Sequence, residues 1–160
     1  MEVLSLKNDK VFAVSQSVKC NVTMRMIVAL ALVVTGAIIY MLFRDKTILI
    51  FKWIDIFHLD NALDYCRNLT RNITVPDFVK FCVPDGLWLA SYILVMDTIW
   101  HNEDLGKQLF WCLLLPAISI LSEIMQYFGM LVGTYDFGDL VCYSMPVALY
   151  LIYKYYEKKS

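Results

Sequence analysis

Carboxylate and amide side chains occur within segments of this sequence that are otherwise apolar. Glu123 is followed three residues later by Gln126, and both lie in 108–128, a stretch that contains no lysine or arginine. An acid at the centre of a membrane helix makes insertion less favourable by roughly 3 kcal/mol. Its presence therefore indicates an interaction with a proton, a cation or a polar ligand.

Two further segments carry acids where an apolar run begins. Asp85 follows Pro84, while Asp136 and Asp139 stand three residues apart near Phe137. Each has a structural alternative, because an aspartate at a helix start can accept hydrogen bonds from free backbone N–H groups. We give this capping interpretation equal weight for Asp85 and Asp136. Asp139 lies one turn deeper, where capping explains it less well.

Aromatic side chains accompany these acids at helical spacing. Trp88 lies three residues after Asp85, and Tyr143 lies four residues after Asp139, so each shares a helix face with its acid. Asp97 lies roughly 120° from the Asp85 face. It is also near the far end of its segment, where we expect it to reach water, and we leave it out of the site.

Other kinds of chemistry lack support in the sequence. His58 and His101 are isolated, the five cysteines show no CxxC spacing, and no glycine-rich phosphate motif is present. We therefore expect no metal and no cofactor, and we assign no catalytic residue. Pairing of Cys66 with Cys82 is left open.

The elements that must position the acids are predicted to be membrane helices. The 160 residues are 59% hydrophobic and 18% charged, with a net charge of −1, which excludes an ordinary soluble domain and gives no basic surface for nucleic acid. Apolar runs predict spans, which lie at 26–43, about 81–100, 108–128 and about 137–153. We predict an all-α polytopic membrane helical bundle of about four transmembrane helices, with a short interfacial helix at 47–59.

This prediction divides the chain into three parts. Residues 1–25 are expected to form a cytoplasmic tail, 26–153 a single transmembrane domain with a surface loop or short surface helix at about 60–76, and 154–160 a basic tail. The lysine and arginine distribution favours both termini inside. In the 108–128 helix a stripe should face protein rather than lipid, and it consists of Cys112, Ser119, Glu123 and Gln126.

Several of these motifs together resemble the VanZ-like family of small bacterial membrane proteins, over roughly residues 80–150. They are Pro84-Asp85 with Trp88, the Glu123–Gln126 pair, and the segment 133–139, GTYDFGD. The resemblance implies shared positions at Asp85, Glu123, Gln126, Asp136 and Asp139. The chain departs from the family pattern at Gly133-Thr134, where a basic residue is common, at Tyr143, where an asparagine is common, and in lacking a histidine after the first acid. The resemblance implies a cell-envelope role in the bacterial inner membrane, with a link to the glycopeptide response.

We therefore expect an intramembrane carboxylate cluster that binds a polar or amphiphilic ligand. Its candidate residues are Asp85, Trp88, Glu123, Gln126, Asp136, Asp139 and Tyr143. Expected partners are membrane lipids and either a lipid-linked envelope precursor or an amphiphilic drug. One alternative is an intramembrane acid/base enzyme acting on a lipid-linked substrate, although no nucleophile is visible. Another is a proton or cation pathway, which would require a homo-oligomer. A third is that the polar groups only hold helices together, at about 0.6 kcal/mol per hydrogen bond.

Overall fold

The computed structural model describes residues 2–44, 58 and 60–159, with side chains described from residue 22 onward. These residues form helices and no strands, which confirms the predicted all-α class. The interfacial helix predicted at 47–59 lies outside the described residues, apart from His58. The described helices are α1 (Glu2–Phe43), α2 (Asp60–Thr70), α3 (Asp77–Phe81), α4 (Val83–Ile99), α5 (Leu105–Tyr127) and α6 (Phe137–Lys159).

The first helix is longer than the sequence prediction. It contains 42 residues, and a rise of 1.5 Å per residue makes it about 63 Å long, roughly twice the thickness of a hydrocarbon core. It begins at Glu2 rather than near residue 26. The segment predicted as an N-terminal tail is therefore helical and continuous with the apolar part of α1.

The surface segment predicted at about 60–76 contains the short helix α2, which packs on α1. Arg67 of α2 donates hydrogen bonds to the backbone carbonyls of Met41 (2.9 Å) and Arg44. These carbonyls lie at the C-terminal end of α1, where helical partners run out. The side chain of Arg67 in α2 therefore caps the C-terminal end of α1.

The central element is α4, which packs against α1, α5 and α6. Ile99 is the one large apolar side chain of α4 that is exposed. Contact with α1 is close at Gly36, where an added Cβ would lie 2.6 Å from Trp88 Nε1. A side chain at this position would displace the Trp88 indole, so glycine permits the close approach of α1 and α4.

The helices α5 and α6 begin and continue for identifiable reasons. Asp104 caps α5 by accepting a hydrogen bond from the backbone N–H of Lys107, at 3.2 Å. Each helix continues through an internal proline, Pro116 or Pro146. Within the predicted protein-facing stripe of α5, Cys112 and Glu123 are buried, and Ser119 and Gln126 are partly buried. The residues predicted as a basic C-terminal tail instead extend α6 as far as Lys159.

Two of these helical segments are long and apolar enough to cross a membrane, namely Val22–Phe43 and Leu105–Tyr127. The other two long helices differ from these segments: α4 is shorter, with 17 residues, and α6 contains an internal proline and has charged residues in its last turns. Successive long helices run in opposite directions. Asp97, near the C-terminal end of α4, contacts Arg25 of α1 and Gln108 near the start of α5. At the other end of the bundle, Glu123 near the end of α5 contacts Asp136 just before α6. This arrangement gives the bundle two ends, each built from all four long helices.

Candidate functional site

Acids predicted from separate segments converge at one end of the bundle. We call Asp85, Glu123, Asp136 and Asp139 the acidic cluster; they come from the start of α4, the last turns of α5 and the start of α6. A carboxylate oxygen of Glu123 accepts a hydrogen bond from the backbone N–H of Asp136, at 3.3 Å. Asp85 interacts electrostatically with Asp139 and Glu123. Three helices therefore contribute charge to one location.

Two members of the cluster also have a structural role. Asp136 precedes the first residue of α6, and its Oδ1 accepts from the backbone N–H of Gly138 at 2.7 Å. This is the capping geometry that the sequence offered as an alternative for Asp136. Glu123, which is 5% exposed, receives the backbone N–H of Asp136 itself. The buried glutamate thereby ties the end of α5 to the start of α6.

Asp85 is not explained by capping. The residue at the N-cap of α4 is Cys82, and no side chain makes a capping hydrogen bond there. Asp85 is partly buried instead, and a positive charge, that of Arg44, lies within electrostatic range of it. The side chain of Asp85 is therefore available to the cluster rather than used by its own helix.

Asp139 has one carboxylate oxygen without a hydrogen-bond partner among the described residues, although its carboxylate also interacts with the Cys82 thiol. Its Oδ1 is buried and accepts no hydrogen bond from any residue that the structure describes. Leaving a buried acceptor unpaired is unfavourable by about 1–3 kcal/mol, so such an atom indicates a missing partner. The cluster therefore contains a carboxylate oxygen with room for a donor or a cation.

A thiol joins the acids. The Sγ of Cys82 and carboxylate oxygens of Asp136 and Asp139 lie within 4.8 Å of one another. The approach is possible because residue 138 is glycine; an added Cβ would lie 2.6 Å from Cys82 Sγ. These three groups could hold a cation, although one Asp136 oxygen is already used in the cap. Sequence spacing gave no sign of this set, because Cys82 is far from the aspartates along the chain.

Arg44 and Tyr143 border the cluster. The guanidinium of Arg44 lies over the rings of Tyr40 (4.9 Å) and Phe81 (5.3 Å), and its charge acts on both Asp85 and Asp139. Tyr143 is half-buried and interacts electrostatically with Asp85, Asp139 and Glu123. The predicted candidate Tyr143 therefore lies beside the acids, and Arg44 adds a cation that the sequence reasoning did not include.

Trp88 and Gln126 lie at the edges of this region. The indole of Trp88 donates to the Val33 carbonyl of α1 at 3.2 Å and packs against Tyr40 at a centroid distance of 5.4 Å. Trp88 thus joins α1 to α4, whereas the sequence placed it among the ligand-binding candidates. Gln126 lies against Gly133, in the connection between α5 and α6.

A second polar constellation occupies the opposite end of the bundle, and the expectation that Asp97 reaches water was wrong. Asp97 is only 2% exposed. Its Oδ2 accepts from Arg25 at 2.6 Å, and its Oδ1 accepts from Gln108 (2.9 Å), Tyr150 (3.0 Å) and Lys154 (2.9 Å). We call these five residues the Asp97 cluster. One carboxylate therefore joins α4 to α1, α5 and α6.

A signal for this second cluster was present in the sequence. Arg25, Asp97, Gln108 and Lys154 each stand near an end of a predicted span, and alternating helix directions bring those ends to the same side. Opposite charges at matching depths on antiparallel spans are expected to pair. This pairing is predicted by comparing how far each polar residue lies from the end of its own span, whereas helical spacing compares only residues within one helix.

The cysteines that the structure describes are free thiols. Cys66 is exposed, whereas Cys82, Cys112 and Cys142 are buried. Cys66 and Cys82 are therefore not joined by a disulfide.

The fold and its polar groups define a class: a helical bundle with an acidic cluster at one end and a paired-charge cluster at the other, containing helices long and apolar enough to cross a membrane. No protein-family model, curated protein or solved structure matches the chain.

Proposed function

We propose that this chain is a four-span, VanZ-like protein of the bacterial inner membrane whose acidic cluster binds the polar head of an amphiphile. The observation that carries the proposal is the buried Oδ1 of Asp139, which has no hydrogen-bond partner among the described residues and belongs to the acidic cluster contributed by α4, α5 and α6. A site requires several polar groups to meet where a ligand can reach them.

The distribution of exposed apolar side chains supports four spans. On α1, α5 and α6 large apolar residues face outward, and examples are Leu30, Ile38, Ile118, Leu121 and Ile152. Soluble proteins rarely expose contiguous apolar faces of this kind. The helix α4 is sheltered by its three neighbours, so its outer surface need not match lipid along its whole length. Its 17 residues span about 25 Å, close to the thickness of a hydrocarbon core.

The chemistry of the cluster favours a head that donates hydrogen bonds. Carboxylates are acceptors when ionised, and hydroxyl or amine groups are their natural partners. Arg44, on the edge of the cluster, could bind a phosphate or carboxylate of the same molecule. With both termini inside, the cluster lies at the outer surface of the membrane, where a lipid-linked envelope precursor or an amphiphilic drug would present such groups.

A proton or cation pathway receives less support. A pathway would need polar groups between the acidic cluster and the Asp97 cluster. The buried side chains at intermediate depth are mostly apolar, for example Leu89, Ile93 and Pro116. Ser91 is buried there too, but its hydroxyl already donates to the Ala29 carbonyl at 2.9 Å. A packed apolar layer favours binding at one end over transfer between the ends.

The test compares Asp139→Asn and Glu123→Gln with the parent and with Asp77→Asn. Asp77 is an exposed acid of α3 that pairs with Lys80, so its variant controls for loss of charge. Glutamine at position 123 keeps an oxygen for the Asp136 N–H. Lipids retained through purification are identified by native mass spectrometry, and we expect an amphiphile to be lost from both cluster variants but not from the control.

Retention of the same lipids by folded Asp139→Asn and Glu123→Gln would refute the proposal. If both variants still bind the amphiphile but no longer convert it to a product that the parent forms, the acid/base enzyme would be favoured instead. Proton flux through liposomes that the two substitutions abolish would favour the pathway.

A further inference from the structure

A cavity lies between α4 and α6, away from the acidic cluster. Its volume is about 360 Å³, within the range of roughly 300–1,000 Å³ that is usual for ligand sites. It opens on one side, and its walls are mainly apolar, formed by Ala90, Ile93, Leu94, Pro146 and Leu149. Walls of this composition suit a hydrocarbon chain.

One end of the cavity is polar and borders the Asp97 cluster. Arg25, Asp97 and Tyr153 line it there. Asp97 already accepts from four side chains, so it offers little to a ligand. Arg25 donates to Asp97 and to the Tyr153 hydroxyl (2.9 Å), and its side chain is 19% exposed. The charge that the cavity presents at this end is therefore a guanidinium held in a defined position.

The charges around this end of the cavity are mixed, and the excess of cations is on α6. Near the cavity mouth α6 ends in Lys154, Lys158 and Lys159, with Glu157 between them. The nearby turn before α5 contains Lys107, which pairs with its neighbours Glu103 and Asp104. In the last turns of α6 three lysines accompany one glutamate, and on the cytoplasmic side such surfaces attract anionic headgroups.

We propose that this cavity binds an anionic phospholipid, with an acyl chain between α4 and α6 and the phosphate beside Arg25. This site is separate from the acidic cluster and does not depend on what that cluster binds, but it rests on the membrane orientation proposed above. Apolar walls supply affinity for the chain, and the guanidinium supplies selectivity for a charged head. The occupant is a lipid of the cytoplasmic leaflet, whereas the acidic cluster faces the opposite surface.

The experiment measures lipid binding to the delipidated full-length protein by native mass spectrometry, with phosphatidylglycerol and phosphatidylcholine as probes. Leu149→Trp fills the cavity, and Leu151→Trp places the same side chain on α6 outside the cavity. We expect Leu149→Trp to weaken phosphatidylglycerol binding by at least about tenfold through lost chain contact, and Leu151→Trp to leave it unchanged.

Headgroup selectivity provides the second measurement. The parent should retain phosphatidylglycerol in preference to phosphatidylcholine, and rising salt should reduce that preference. Ala90→Phe fills the cavity from the α4 side and replaces Leu149→Trp should that variant fail to fold. Equal retention of the two lipids by the parent, or unchanged phosphatidylglycerol binding in a folded cavity-filled variant, would overturn the proposal.

Discussion

Replacing Asp97 with asparagine tests whether one buried carboxylate holds the four long helices together. The substitution removes a charge that Arg25 and Lys154 contact at 2.6 and 2.9 Å. Removing one partner of a buried ion pair destabilises a protein by about 3–5 kcal/mol. Lys154 retains Glu157 at 2.6 Å, and Arg25 retains the Tyr153 hydroxyl. We therefore expect the lower limit, about 3 kcal/mol, or a Tm decrease of about 6–12 °C for a chain of this size.

Thermal unfolding in detergent micelles, followed by tryptophan fluorescence, measures this change. The matched control is Glu103→Gln, an acid-to-amide change at the same end of the bundle, where Glu103 and Lys107 have 47% and 60% exposed side chains. An exposed pair contributes about 0–1 kcal/mol, so the control should lower Tm by only a few degrees. Equal Tm values for the two variants would refute the assignment of Asp97 as a buried electrostatic centre.

Three further predictions concern packing, pH and accessibility. Gly36→Ala should destabilise the protein by about 1–3 kcal/mol, because its Cβ would displace the Trp88 indole; an unchanged Tm would contradict the close contact. A hydrogen bond from Lys154 holds the pKa of Glu157, which lies beyond the proposed span, below its ordinary value. Ionised Glu157 therefore stabilises the fold fully above the ordinary glutamate pKa, and this contribution disappears as pH falls through the lowered pKa. The decrease in Tm on acidification should be smaller for Glu157→Gln than for the parent, and equal decreases for the two proteins would refute this stabilisation. In single-cysteine variants a maleimide should label Cys66 rapidly and the buried thiols only after unfolding, and slow labelling of Cys66 would contradict its exposure.

Helix positions could be predicted well from the sequence because hydrophobic runs and capping residues are local features. The span expected at 108–128 is the helix Leu105–Tyr127, and its earlier start is explained by the Asp104 cap. The last helix begins at Phe137, where the last apolar run was expected to begin, because Asp136 caps it. The helix itself continues past the predicted span end at residue 153 as far as Lys159, and Lys154 has a buried partner in Asp97.

The acidic cluster was only partly predictable. Spacing gave the shared faces within each helix, and the structure brings Asp85, Glu123 and Asp139 into one electrostatic neighbourhood. Spacing could not show that Trp88 packs toward α1, because α4 is surrounded and its faces meet different neighbours. The same reason explains the error at Asp97, where a second face of α4 is also buried.

The order in which the ribosome makes the chain gives the Asp97 cluster a consequence for biogenesis. Arg25 is synthesised before Asp97, so a nascent hairpin of α1 and α4 can already contain one compensated charge pair. Lys154 is synthesised last, and its arrival completes the coordination of that carboxylate. A polypeptide that stops before α6 leaves the buried carboxylate of Asp97 without Lys154 and without the Tyr150 hydroxyl, so the paired-charge cluster is complete only when the last helix has been made.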